Sequence, residues 1–346
     1  MDALRIPRPD DFHLHLRDGA MLRAVLADTC RTFGRAIVMP NLVPPVTTAA
    51  EAEAYRARIL AARPAGSDFE PLMTLYLTDR TTPNAVRAAA ASRVVHGVKL
   101  YPAHATTNAA HGVTELEALD DTLDAMAEAG LPLLVHGEKL GPDIDVFDRE
   151  ARFIEGVLAP LVARHPALKV VLEHVTTKQG IEWVMAGGDN VAGTLTAHHL
   201  MLDRNDLFDG GLRPHHYCLP VVKRREHKQA LRKAACSGHP RLFLGTDSAP
   251  HPVRAKESAC GCAGLYTAPT ALELYAQVFD EEGALDHLEA FASRNGQRFY
   301  RLPVSEVQVE LRREETPDPG RLQVEGGDEV LAFHPKAGLR WRARVV

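Results

Sequence analysis

The chain has no disulfide framework to offer: its five cysteines, Cys30, Cys218, Cys236, Cys260 and Cys262, are odd in number and scattered over 346 residues. Such usage points to a reducing compartment. The segment MDALRIPRPDDFHLHLRDG contains no apolar h-region, so no signal peptide is expected and the expected location is cytoplasmic. No run of about 18 apolar residues occurs, so no membrane span is expected. Long charge runs of one sign are also missing, and the formal net charge is −5. Phosphate binding needs clustered Lys and Arg, which makes nucleic acid a poor partner. The basic stretch Lys223-Arg224-Arg225 is interrupted by Glu226 and reads as a solvated helix start. Cys260-Gly261-Cys262 lacks the two-residue spacing of a zinc knuckle or redox pair, and is not expected to bind metal by itself. Neither Gly187-Gly188 nor Gly210-Gly211 fits the G-x-G-x-x-G fingerprint of a dinucleotide site. Internal repeats and low-complexity tracts are absent as well.

What remains is an ordinary globular composition, with 45% hydrophobic and 25% charged residues, long enough to bury a large core without covalent staples. Short runs rich in Val, Ile and Leu alternate with Ala-rich segments. The expected strands are Asp11–Leu16, Arg35–Pro40, Pro71–Leu77, Val94–Tyr101, Leu131–His136, Lys169–Val175, Val191–Ala197 and Arg241–Thr246. Between them lie helical patterns such as Thr48–Ala62, Thr114–Ala129, Asp148–Ala163 and Arg224–Ala235. VVHGVKLYP, LPLLVHG and LKVVLEHV are apolar on both faces, as in parallel sheets covered by helices. Eight such units predict an α/β fold, a (β/α)8 TIM barrel, with an open doubly wound sheet as the alternative. Two further helical patterns follow, Ala268–Phe279 and Leu285–Ala292. From 303 to 346 the pattern changes: VQVEL and LRWRARV alternate, and Pro317–Gly320 and Gly326-Gly327 read as turns. The expected organisation is one barrel, 1–302, with a small strand-containing C-terminal extension, 303–346, packed on it.

The informative feature is what ends each strand. His13 and His15 are two apart on the first, so both imidazoles face the same way. Lys99 ends the fourth, His136 the fifth, His174 the sixth and Asp247 the eighth. Barrel enzymes place catalytic groups at these carboxyl ends. A lone histidine at a strand end is more often structural, and a buried lysine can be a paired charge or a Schiff-base nucleophile. The coincidence of all these residues in register points instead to a site for two divalent metals, since imidazole and carboxylate suit zinc or similar cations.

The ordered motifs FHLHLRDG, MPNLVPP, GVKLYPAHATTN, LLVHGE, EHVTT, GLRPHHYCLPVVK and GTDSAPH…KES…CGCAG resemble the bacterial (class II) dihydroorotases of the amidohydrolase superfamily. The resemblance runs from about Pro7 to Tyr300 and continues into the tail. His198 before His199 and the His215-His216 pair are small departures that do not touch the ligand positions. The resemblance implies that His13, His15, Lys99 and Asp247 bind one metal and that Lys99, His136 and His174 bind the second. It implies a carbamate on Lys99, which gives the two cations an anionic bridge that an ammonium cannot. It implies hydrolysis of a cyclic amide by water activated at the metals, with Asp247 moving the proton to the departing nitrogen. Arg17, Asn41 and His251 would hold the substrate carboxylate, and backbone groups of Leu219 and Ala263 the ring edges, with His15 and His136 also beside the substrate. Thr106 and Thr107, within His104–Asn108, resemble the family's mobile lid; a plain surface loop is the other reading. The rivals are a hydantoinase or allantoinase of the same superfamily, and a non-catalytic scaffold, which would be expected to have lost ligands. A homodimer is the default assembly.

Overall fold

The computed structural model describes residues 2–346. The strands in the first three-quarters of the chain are β1 (Ala3–Pro7), β2 (Asp11–Leu14), β3 (Arg35–Val38), β4 (Glu70–Tyr76), β5 (Val95–Leu100), β6 (Leu133–Val135), β7 (Val170–Leu172), β8 (Val191–Leu195) and β9 (Leu242–Leu244). β2 to β9 form one eight-stranded sheet in sequential order, every pair parallel. Its ends meet where Leu14 bridges Ser248, with Asp247 N donating to the His13 carbonyl at 2.8 Å and His15 N to the Ser248 carbonyl at 3.1 Å. Helices such as Gly19–Thr32, Ala49–Ala62 and Lys178–Ala186 cover the outside. This is the expected (β/α)8 barrel.

Inside the barrel, Phe12, Ile37, Met39, Leu72, Leu134, Val171, Ala192 and Phe243 form a separate buried cluster. Ile37 and Met39 are two apart, as inward-facing positions of one strand must be. Phe299, Tyr300 and Leu302 pack against the cluster, so the helix Asn295–Tyr300 plugs the amino end. A Cβ on Gly296 would sit 2.1 Å from Phe12 Cε2. Gly296→Ala is therefore expected to lower stability by about 1–3 kcal/mol, the usual cost of overpacking. Urea denaturation checks this, and an unchanged midpoint would mean that the helix can shift away.

Several boundaries differ from those expected. The run Arg241–Thr246 narrows to Leu242–Leu244 and Leu131–His136 to Leu133–Val135, although His136 N still donates to the Leu100 carbonyl of β5 at 3.0 Å. The pattern Asp148–Ala163 is broken into Arg149–Phe153, a π turn at Ile154–Leu158, and Ala159–Arg164. Pro160 has no N–H to continue the i→i−4 ladder, and a π turn absorbs the gap. The basic stretch is also corrected: Arg225 is exposed, but Lys223 is buried at 3% exposure. Its Nζ donates to the Val221 carbonyl at 2.8 Å, and the charges of Glu138 and Glu150 act on it, so it is an interior cation.

In the tail, β10 (Gln308–Thr316), β11 (Arg321–Val324), β12 (Asp328–Leu331) and β13 (Leu339–Val345) follow. β10 lies between β1 and β13, antiparallel to both, so the chain's first strand belongs to the tail's sheet. The alternation in VQVEL and LRWRARV foreshadows β10 and β13, while the short β1 carries no comparable signal. Trp341 is fully buried, and Glu273 in the helix Ala271–Glu281 accepts from Ala343 N at 3.2 Å. Among the described residues no helix is long and apolar enough to cross a membrane.

Candidate functional site

Three residues at the carboxyl end of the barrel are held in the left-handed backbone region: Arg17 (φ 59°), His174 (φ 42°) and Asp247 (φ 46°). L-residues rarely occupy it, and such strain collects at functional sites. Each is pinned from outside. Tyr55 Oη donates to the Arg17 carbonyl at 2.5 Å, His174 N donates to Thr194 Oγ1 at 2.8 Å, and Asp247 N is bonded to β2. Asp11 strengthens the last link by accepting from Thr246 N (2.8 Å), Thr246 Oγ1 (2.6 Å) and His13 N (3.1 Å).

One cavity is lined by His13, His15, His136, His174 and Asp247, together with Arg17, Asn41, Thr106, Thr107, Leu219 and Ala263. Of the expected site residues only Lys99 and His251 are not on that wall, and both touch it through neighbours. Lys99 is fully buried below and pairs with Glu173. His251 Nε2 lies 2.9 Å from Arg17 Nη2 and 3.0 Å from the Ala263 carbonyl; it can serve only one of the two at a time.

The donor atoms converge. His13 Nε2 and His15 Nε2 are 3.2 Å apart, and Asp247 Oδ1 lies 3.3 Å from the first and 3.2 Å from the second. His15 Nδ1 is 2.8 Å from Asn41 Oδ1; an amide oxygen only accepts, so Nδ1 carries the proton and Nε2 the lone pair. The ring of His174 stands 5.1 Å from that of His13 and 4.9 Å from that of His136. His174 Nδ1 and His13 Nδ1 have no hydrogen-bond partner although both residues are buried. Burial pushes His15 down to about 4 and holds His174 well below its ordinary value. Both are therefore neutral at pH 7, the form that binds metal. Burial alone would raise Asp247, but the facing His13, the largest opposing influence, outweighs it and keeps the carboxyl well below the usual range. Neutral imidazoles, a carboxylate and orphaned ring nitrogens in a buried cluster fit divalent cations.

Glu173 was not among the residues singled out in the sequence. It is fully buried, bonds Lys99 Nζ and places Oε1 3.2 Å from His13 Nδ1, without the alignment of a hydrogen bond. Its signal was a charged residue inside the apolar run LKVVLEHV, and Glu138 beside His136 carries the same one. Burial lowers the Lys99 ammonium below its ordinary value against the pull of Glu173.

A second group, His198, His199 and Cys218, also brings donor atoms within 4.8 Å. There, however, His199 is taken by Thr196 Oγ1 (2.7 Å) and the Pro220 carbonyl (2.9 Å). The Cys218 thiol donates to the same carbonyl at 3.3 Å, and burial pushes it up to about 12. His198 is buried with both ring nitrogens unpartnered, and burial pushes it down to about 4, so the group is neutral but only His199 and Cys218 are engaged by hydrogen bonds.

A barrel whose strand ends converge histidines and a carboxylate in a buried cavity has the form of a metal-assisted hydrolase. Comparison with known proteins agrees with this class. Residues 11–309 match the model of the amidohydrolase family. The chain is 59% identical to a dihydroorotase of Halorhodospira halophila over 343 residues, 99% of each chain. It is similar to a dihydroorotase of Saccharomyces cerevisiae solved with 5-fluoroorotic acid, at TM-score 0.92 and 35% identity, covering 100% of this chain and 99% of that one. An L-hydantoinase of Arthrobacter aurescens shares the fold at TM-score 0.74 and 16% identity, over 94% of this chain and 85% of that one. The chain belongs to the amidohydrolase family, on its dihydroorotase branch.

Proposed function

We infer that the chain catalyses the reversible hydrolysis of the ring amide of (S)-dihydroorotate to N-carbamoyl-L-aspartate, run as ring closure in pyrimidine synthesis. The observation that carries this is Arg17. Its guanidinium stands on the wall of the donor cluster's cavity, and its neighbours are the Pro250 carbonyl at 3.1 Å and an imidazole at 2.9 Å. That imidazole, His251, is pushed down to about 2 by burial and by Arg17 itself. An arginine fork without a carboxylate partner, beside a hydrolytic centre, suits an acidic substrate. Hydantoin and allantoin bring no carboxylate to it.

His13, His15, Lys99 and Asp247 would hold one divalent cation, and Lys99, His136 and His174 the second, with zinc the metal these ligands suit best. Lys99 would serve both as a carbamate, its neutral amine adding carbon dioxide with release of one proton; burial already disfavours the competing ammonium. Bound there, the cations would polarise the amide carbonyl and lower the pKa of water to about 7. Asp247, held ionised beside His13, would accept the proton of the attacking water and deliver it to the departing ring nitrogen. Arg17, with Asn41 and His251, would bind the carboxylate, and backbone groups of Leu219 and Ala263 the ring edges. His15 and His136 border the substrate, and Thr106 and Thr107 would close over it, Thr107 being tied to Asn41 Nδ2 through its carbonyl at 3.3 Å. We also propose a cytoplasmic homodimer, the commonest closed assembly.

The test is an ultraviolet assay of dihydroorotate ring opening, run beside hydantoin and allantoin, with bound metal counted on the same sample. Turnover of the neutral rings in preference to dihydroorotate would overturn the assignment. Arg17→Lys keeps the charge and loses the planar fork. It is expected to lower kcat/KM by at least about 10-fold, the worth of one charge-assisted hydrogen bond, mostly through KM. Unchanged efficiency would remove Arg17 from the clamp.

A further inference from the structure

His136 is a histidine of the cluster whose ring nitrogen meets a carboxylate from two residues away. Glu138 Oε2 lies 2.8 Å from His136 Nε2, with the two side chains 0% and 1% exposed. The turn between them is tight: Glu138 N bonds the His136 carbonyl at 3.2 Å, and a Cβ on Gly137 would meet Leu172 Cδ1 at 2.6 Å. A larger residue at 137 would require the Leu172 side chain to move.

We infer that Glu138 is a positioning residue for His136: it accepts the Nε2 proton and so presents Nδ1 as the metal-binding nitrogen. The inference rests on the proposed metal-ligand role of His136. A neutral imidazole has one N–H and one lone pair. A carboxylate at hydrogen-bond distance on Nε2 settles which nitrogen keeps the proton, because it can accept and cannot donate. It also stiffens the ring and raises the basicity of the remaining nitrogen, which is what carboxylate partners do for metal-bound histidines.

The acid has a counter-charge built in. Lys223, buried and bonded to the Val221 carbonyl, is acted on by the charges of Glu138 and of Glu150. Glu150 in turn accepts from Thr176 N and Oγ1 at 2.8 Å each, and from Thr177 N at 2.8 Å and Oγ1 at 2.5 Å. Thr176 and Thr177 form the turn that follows His174. One interior lysine thus feels the charge both of the acid that holds His136 and of the acid that holds the segment after His174. Both histidines assigned to the second cation are braced by the same buried charges.

The test reads metal affinity instead of turnover. The wild-type enzyme and the variants Glu138→Gln, Glu138→Ala and His136→Ala are stripped of metal and titrated with Co2+, following its visible absorption in competition with a chelator. Thermal unfolding reports whether each is folded. The expected result is that the ion lost in His136→Ala is the one that loses about 10- to 100-fold in affinity in Glu138→Ala and less in Glu138→Gln, whose amide oxygen still accepts from Nε2. The other ion should be unaffected. Glu138→Gln keeps the size of the side chain and serves as the deciding variant if Glu138→Ala does not fold. Wild-type affinity for both ions in a folded Glu138 variant, with the second ion lost in His136→Ala, overturns the positioning role alone. Two tightly bound ions in His136→Ala overturn the ligand assignment on which it stands.

Discussion

Lys99→Ala is expected to bind no more than one divalent ion per chain after dialysis, and to lose dihydroorotate turnover by at least about 10²-fold, the scale for removing one preorganised electrostatic group. The side chain is fully buried, in a site whose other proposed ligands are neutral imidazoles and a single carboxylate. A lysine left as an ammonium there would repel two dications at short range in a low dielectric. The carbamate reverses that sign. Burial is what makes the amine available, since it lowers the ammonium pKa. In chains whose lysine is not carboxylated the substitution also takes away the Lys99–Glu173 pair, and breaking a buried pair costs about 3–5 kcal/mol. Thermal unfolding must therefore accompany the metal count, so that lost metal is read on folded protein. A short carboxylic acid added to Lys99→Ala should restore part of the metal and part of the activity by supplying the missing bridge. A folded Lys99→Ala that holds two ions and turns over normally would end the proposal.

Much of this site was legible because the barrel translates sequence position into spatial position. Strand ends up to seven strands apart in the chain become neighbours around one mouth, so His13, His15, His136, His174 and Asp247 could be gathered from motifs alone. What alternation could not reveal is Glu173. On a regular strand adjacent residues face opposite ways, and His174 had already been assigned inward. The left-handed φ of 42° at His174 breaks that rule, and both Glu173 and His174 reach the ring of His13. Lys223 escaped for a related reason. A Lys-Arg-Arg run has the composition of a solvated face, and only the packing of the loop after Leu219 shows that its first member turns inward to two buried acids. Asn41 was expected only at the substrate carboxylate; the fold also gives its oxygen to His15, a contact that no spacing in the sequence encodes. The strand β1 was missed because five residues, of which Ile6 and Pro7 alone are buried, leave too short a pattern to read.

Asp247→Asn should leave the fold and most of the metal in place while cutting kcat by at least about 10²-fold, the usual effect of losing a positioned acid or base. Asparagine is the right replacement for three reasons. It preserves the side-chain oxygen that now sits 3.3 Å from His13 Nε2 and 3.2 Å from His15 Nε2. It tolerates the left-handed backbone, φ 46°, better than alanine does. And it cannot take up a proton at any working pH. The wild-type carboxyl is held ionised beside His13 and can accept the proton of the attacking water; the amide cannot. Metal lost from the variant would confuse a ligand role with a proton-carrying role, so the ion count is taken first, and kcat is then measured on fully loaded protein. Under those conditions a ligand-only role predicts kcat near that of the wild type, with weaker metal binding. A proton carrier predicts that loading the site does not rescue kcat. Near-normal turnover by a folded, fully loaded Asp247→Asn would take the proton transfer away from this residue.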